Sequence, residues 1–161
     1  MKLLSNEQII ILSYQLLKTV NEEIQKKWVG GVCIRDNHVL LIYRVNQERE
    51  FNKEYFVFPG GYTQDDESME KTILRECREC SITVKLGALL YSNEDEQEYY
   101  YLCDYISGEP LAASKNNEEE GVPLEFSTDM PVWIPLSELD ELIVYPESVK
   151  DYVLQELEKG D

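Results

Sequence analysis

Apolar residues recur along this chain with a spacing that switches between helical and extended, and the switches predict its elements. Ile9, Leu12, Leu16, Val20 and Ile24 follow one another at three to four residues, which predicts a helix to about Lys26, with Ser5 and Gln8 placed to form a capping box. The run from Ile9 to Leu12 is broader than a single stripe requires. The spacing predicts a helix packed on the rest of the domain, with a contact between two copies of the chain as the alternative.

Apolar, β-branched runs at 28–35 and 38–44 flank Asp36-Asn37, a turn pair, and predict a hairpin. A polar stretch at 45–53, carrying Arg49 and Lys53, is expected to be a mobile loop before a strand at 55–58. Further strands are expected at 83–92, 98–106 and 130–135, and a closing helix at about 146–158 with Val149, Tyr152, Val153 and Leu157 on one side. Residues 107–126 have no periodicity and read as a loop. Tyr55, Phe56 and Phe58 offer a stacking platform, as do exposed rings of Tyr99, Tyr100 and Tyr101; alternating core and surface aromatics are the plainer alternative.

The richest stretch lies between. The strand ends at Pro59, and Gly60-Gly61 are expected to form a turn that other residues resist. Ser68 is placed to cap a helix with Leu74 and Cys77 toward the core, and Glu76 and Glu79 share a face of that helix with position 80. Carboxylates so close repel unless a cation sits between them, and their hard oxygens suit Mg²⁺ or Mn²⁺. Such a site serves hydrolysis of phosphate esters or anhydrides. A solvated acidic helix face is the plainer reading of the Glu pair alone.

Charge narrows the partners. Asp and Glu number 32 against 15 Lys and Arg, and the net charge of −17 opposes binding to a nucleic-acid polymer or an anionic membrane surface, while a small nucleotide meets only a local pocket. The 161 residues, 43% hydrophobic, suffice for one domain with a short appendage. Four scattered cysteines fit a reducing cytoplasm better than a disulfide framework, and Cys77-x-x-Cys80 has no second Cys or His pair to complete a zinc site. The start of the chain lacks the features of a signal peptide, and no stretch is apolar enough to span a bilayer.

The order Gly61, five residues, Glu67, seven residues, Arg75-Glu76, an apolar residue, any residue, Glu79 resembles the Nudix box, and the Phe58-Pro59-Gly60-Gly61 lead and the segment from Trp133 to Leu136 look like the same family. The resemblance runs from about residue 28 to 157 and implies an α/β fold, an α/β/α sandwich with a mixed, curled sheet, carrying residues 1–27 as an N-terminal helical extension of a domain at 28–161. It departs at Cys80, where the family has a second Glu, and at Ile82, where it has Gly; the helix is therefore expected to end by another route, at Ser81.

The resemblance implies a metal-dependent hydrolase that cleaves the pyrophosphate bond of a nucleoside diphosphate linked to another group. It places Mg²⁺ or Mn²⁺ on Glu76 and Glu79, with Glu79 handling the attacking water and Glu67 and Arg75 as a supporting pair. Arg44, Gly60 and Gly61 face the substrate. Cys80 offers the metal a protonated thiol instead of a carboxylate, so one of Glu118, Glu119, Glu120 or Glu125 is a candidate to complete the site. Two other readings stand beside this one: a nucleotide-binding or regulatory module with little turnover, and a purely structural acidic protein.

Overall fold

Asp36 and Asn37 have φ values of 49° and 62°, the pair of positive angles that a two-residue type I′ turn requires. They join β1 (Trp28–Arg35) to β2 (His38–Asn46). These strands pair with each other only beside the turn, at Ile34–Val39 and Arg35–His38. Beyond it they diverge: the start of β1 pairs with β4 (Gly60–Tyr62), and the end of β2 pairs with β3 (Lys53–Val57). The split is what opens the sheet for a cleft.

The chain is seen here in a computed structural model that describes residues 2–46, 53–111 and 129–159. Among them, eight strands form one mixed sheet in the order β5–β6–β1–β2–β3–β8, with β4 on β1 and β7 on β2. Its remaining strands are β5 (Ile82–Asn93), β6 (Glu98–Gly108), β7 (Met130–Pro135) and β8 (Val144–Tyr145). The β1–β6 and β3–β8 pairs are parallel, and the other pairs are antiparallel.

Strand periodicity sorts the core onto two faces. Val29 and Cys33 of β1, Leu40 of β2 and Cys103 of β6 pack under α2 (Met69–Glu79), whose Ile73 and Cys77 are buried there. Val32, Val39, Leu41 and Tyr100 face the other way, onto Val149 and Val153 of α3 (Glu147–Lys159) and Leu139 of a 3₁₀ turn (Leu136–Glu141). Helices thus cover both faces of a curled sheet, as the sequence implies.

α1 (Asn6–Gln25) starts as expected: Gln8 N–H donates to Ser5 Oγ at 3.2 Å, and Ser5 N–H donates to Gln8 Oε1 at 2.9 Å. Its burial differs. Ile9, Leu12, Leu16 and Val20 are exposed, so the expected packing of this helix on the domain is not what the structure has. Helical spacing shows that a face is apolar; it does not say what covers it. Among the described residues no helix is long and apolar enough to cross a membrane.

The paired glycines also act differently from the expectation. Neither Gly60 nor Gly61 has a positive φ, and both lie in β4 rather than in a turn. A Cβ on Gly60 would stand 2.8 Å from the Val29 carbonyl oxygen and 2.9 Å from the Gly30 Cα, so the missing side chain lets β4 lie close on β1. Of the expected loop at 45–53, residues 45 and 46 belong to β2 and Lys53 to β3, while 47–52, Arg49 among them, lie outside the described residues.

Candidate active site on the α2 helix

Ser68 fixes where α2 begins. Its Oγ accepts the Lys71 N–H at 3.1 Å, a cap of about 1 kcal/mol in typical helices. Glu67, one residue earlier, is thereby set against the first turns, where its Oε1 accepts the Gln64 N–H at 3.1 Å and the buried Thr72 hydroxyl at 2.8 Å.

Arg75, two turns in, gathers the acids. Its Nε donates to Glu67 Oε2 at 3.0 Å and its Nη2 to Glu67 Oε1 at 3.1 Å, while Nη1 reaches Glu76 Oε1 at 2.9 Å and Glu79 Oε1 at 3.4 Å. Nη2 also donates to the Tyr62 carbonyl at 3.2 Å, which ties the helix to β4. The Arg75 hydrogen bonds hold the Glu67 carboxyl down at about 2, and the same contacts push the Arg75 guanidinium up.

Glu76 and Glu79 differ in exposure, with side chains 16% and 54% accessible. Burial, and next the Glu79 charge, push the Glu76 carboxyl up to about 7. A Cβ on Gly61 would run into Glu76 Oε1, so the glycine leaves the space that this carboxylate fills. Three carboxylates around one guanidinium leave two excess negative charges when all are ionised. That surplus and its oxygen donors fit a hard divalent cation. Glu76 and Glu79 each meet Arg75 through one oxygen, Oε1, whereas Glu67 gives both oxygens to Arg75 and its Oε1 also to Thr72 and Gln64. Among the described residues no group of three or more Cys, His, Asp or Glu side chains is gathered as a metal cage.

Position 80, read as part of this cluster, belongs to the core. Cys80 is 5% exposed and packs with Ile73, Cys77, Ile82 and Val84, and burial pushes its thiol up to about 12. It remains a neutral thiol at ordinary pH. The signal was present in the spacing, because 73, 77 and 80 form an i, i+4, i+7 stripe. The helix ends as its sequence requires: Ser81 takes φ 64°, the left-handed angle that Ile82 resists, and Ile82 starts β5 fully buried. Gly108, opposite Ile82, leaves room for the Ser81 carbonyl.

Two clefts with no lining residue in common open on this part of the fold, and only the first is lined by residues of the cluster. One of about 640 Å³ is lined by Lys26, Tyr62, Thr63, Gln64, Asp65, Arg75 and Glu76. A second, of about 280 Å³, sits where the strands diverge and is lined by Trp28, Arg44, Gly60, Glu98, Tyr100 and Tyr145, among others. Arg44 and Gly60 therefore come together, with Arg44 Nε on Asp129 Oδ1 at 2.8 Å. Gly61 lies one residue on, against Glu76. The candidates Glu118, Glu119, Glu120 and Glu125 lie outside the described residues.

Of the rings expected to offer a stacking platform, Phe58 and Tyr100 line the second cleft, and both are buried. Phe58 is buried edge-on against Tyr100, Phe56 packs on Tyr43, and Tyr55 packs on Tyr145. Tyr99 lies under Lys27 and Tyr101 packs toward α2. Trp28 walls the same cleft; its Nε1–H donates to Tyr100 Oη at 2.9 Å and its ring meets Tyr62 edge-on at 5.0 Å. Sequence reasoning missed Trp28, Tyr145, Lys26 and Thr72, which come from separate elements and meet only in the fold.

Residues 26–155 match the family of the NUDIX domain. A curated relative, an ADP-ribose pyrophosphatase of Methanocaldococcus jannaschii, is 32% identical over 101 residues, 57% of this chain. The chain spans 58% of that relative's length. Among solved structures, a NUDIX hydrolase from Nitrosomonas europaea superposes with a TM-score of 0.58 at 13% identity, covering 84% of this chain and 89% of that one. An ADP-ribose pyrophosphatase from Streptococcus suis gives 0.52 at 16% identity, covering 74% and 79%. At these identities the structures speak for the fold alone.

Proposed function

Because the chain belongs to the NUDIX domain family, we propose that it is a metal-dependent hydrolase that cleaves the pyrophosphate bond of a nucleoside diphosphate linked to another group. The observation that carries this reading is the fan of three carboxylates on Arg75, with Glu76 set into the space left by Gly61. The name of the curated relative supports a pyrophosphate as the bond attacked.

Glu76 and Glu79 would hold Mg²⁺ or Mn²⁺, which supplies charge neutralisation on the phosphates and a more acidic water. Glu79, the more exposed acid, accepts the proton of the water that attacks phosphorus. The bond from that phosphorus to the bridging oxygen breaks, the electron pair leaves with the departing phosphate, and two phosphomonoesters result. Glu67 and Arg75 orient the helix against β4. Arg44 lines the second cleft, where a cation suits a phosphate, and Trp28 and Tyr145 give a base or sugar an apolar wall.

We assign the partner as a small nucleotide-like molecule rather than a nucleic-acid polymer or a membrane, on the net charge of −17, and the compartment as a reducing cytoplasm, on four cysteines that are all unpaired and buried. The test is a panel of nucleoside diphosphate sugars, dinucleoside polyphosphates and nucleoside triphosphates in Mg²⁺ or Mn²⁺, with products resolved. Turnover that yields two phosphomonoesters and stops with chelator supports the reading. No hydrolysis in either metal refutes it.

A second reading is a nucleotide-binding module with little turnover. It is favoured by the single fact that position 80 brings a core thiol rather than a carboxylate. Metal-independent nucleotide binding without hydrolysis is its signature.

A further inference from the structure

The apolar side of α1 precedes the NUDIX match, which starts at residue 26, and takes no part in the chemistry above. Ile10, Leu16 and Leu17 are 67%, 66% and 62% exposed, and Ile9, Leu12 and Val20 are exposed as well. At 100° per residue these side chains lie on one continuous side of the helix. Ser13 stands at its centre, for its neighbours three, four and seven residues away are Ile9, Ile10, Leu16, Leu17 and Val20. A small exposed residue ringed by large apolar ones makes a shallow hollow, the shape that lets a second helix approach closely.

We propose that this face joins two copies of the chain about a two-fold axis, with the α1 helices crossing at Ser13. The face is self-complementary, which is the requirement of an isologous contact. Full coverage of Ile9, Ile10, Leu12, Leu16, Leu17 and Val20 would remove roughly 650 Å² from each copy, inside the range of roughly 600–1,000 Å² per partner of specific, stable interfaces.

Charge selects a second copy over a membrane. Two bodies of −17 repel across most of their surface, whereas from Gln8 to Leu17 the chain has no charged residue. The opposite side of α1 carries Glu7, Gln15 and Lys18, without the basic face with which a helix settles on anionic lipid.

Sedimentation equilibrium of the full chain at low micromolar concentration tests the proposal. The wild type is expected as a dimer, and Leu17→Glu and Ser13→Arg as monomers with unchanged far-ultraviolet dichroism. Ile11→Glu, on the far side of the helix, is expected to remain dimeric. A monomeric wild type, a dimeric Leu17→Glu, or dissociation by Ile11→Glu as complete as by Leu17→Glu would overturn it. So would cosedimentation of the wild type with phosphatidylcholine–phosphatidylglycerol vesicles in place of self-association.

Discussion

Arg75 grips Glu67 with two parallel hydrogen bonds, Nε to Oε2 at 3.0 Å and Nη2 to Oε1 at 3.1 Å, across the junction of the glycine-led loop and the α2 helix. Only a planar guanidinium can make that fork and still extend a third nitrogen to Glu76 and Glu79. Arg75→Lys keeps the charge and loses the geometry. It is expected to lower stability by about 1–3 kcal/mol in chemical denaturation, because the poorly exposed Glu67 loses its matched partner. Stability within about 0.5 kcal/mol of wild type would show that charge alone suffices.

The same pair gives the metal-free protein a pH signature. Glu67 is held at about 2 against an ordinary 4.5, so in the folded chain it stays ionised where the unfolded chain takes up a proton. Its contribution is complete above 4.5 and is lost as pH falls toward 2. Glu67→Gln is expected to be less stable than wild type at neutral pH, with the gap closing across that acid range. A gap independent of pH would mean that the carboxylate charge is not what Arg75 holds.

Gly60 and Gly61 separate by what an added methyl would meet. At Gly61 it meets the Glu76 carboxylate, so Gly61→Ala is expected to lower turnover at least tenfold, about 1.4 kcal/mol in barrier, with a small change in melting temperature. At Gly60 it meets the β1 backbone, and Gly60→Ala is expected to destabilise the fold itself. Equal effects of the two on turnover and melting would remove the distinction.

Cys80→Glu adds a third acid where α2 meets the core. The metal-free variant is expected to melt below wild type, since a carboxylate is costly at a site this buried, and saturating Mn²⁺ is expected to raise its melting temperature more than that of wild type. Equal shifts with metal would leave position 80 a packing site alone.

Much of this arrangement was legible in the residues. Asp36-Asn37 announced the hairpin, Ser68 the helix start, and the spacing of Glu67, Arg75, Glu76 and Glu79 their meeting, because each depends on neighbours within a few turns of chain. Ile9 to Val20 announced a helix but not its surroundings. β8 has two residues and β4 three, too few for a period to register. The cleft that joins Trp28, Arg44, Tyr100 and Tyr145 depends on β1 and β2 parting after their turn, a tertiary event that no local pattern encodes.

The account stands on Glu76 and Glu79 as the residues that take up a divalent ion, and direct titration of Mn²⁺ into the protein, followed by the loss of its free-ion paramagnetic signal, tests that claim most closely. The wild type is expected to bind the ion, and Glu76→Gln and Glu79→Gln each to weaken binding at least tenfold while retaining the wild-type fold by circular dichroism. Binding of equal strength in all three proteins would contradict it.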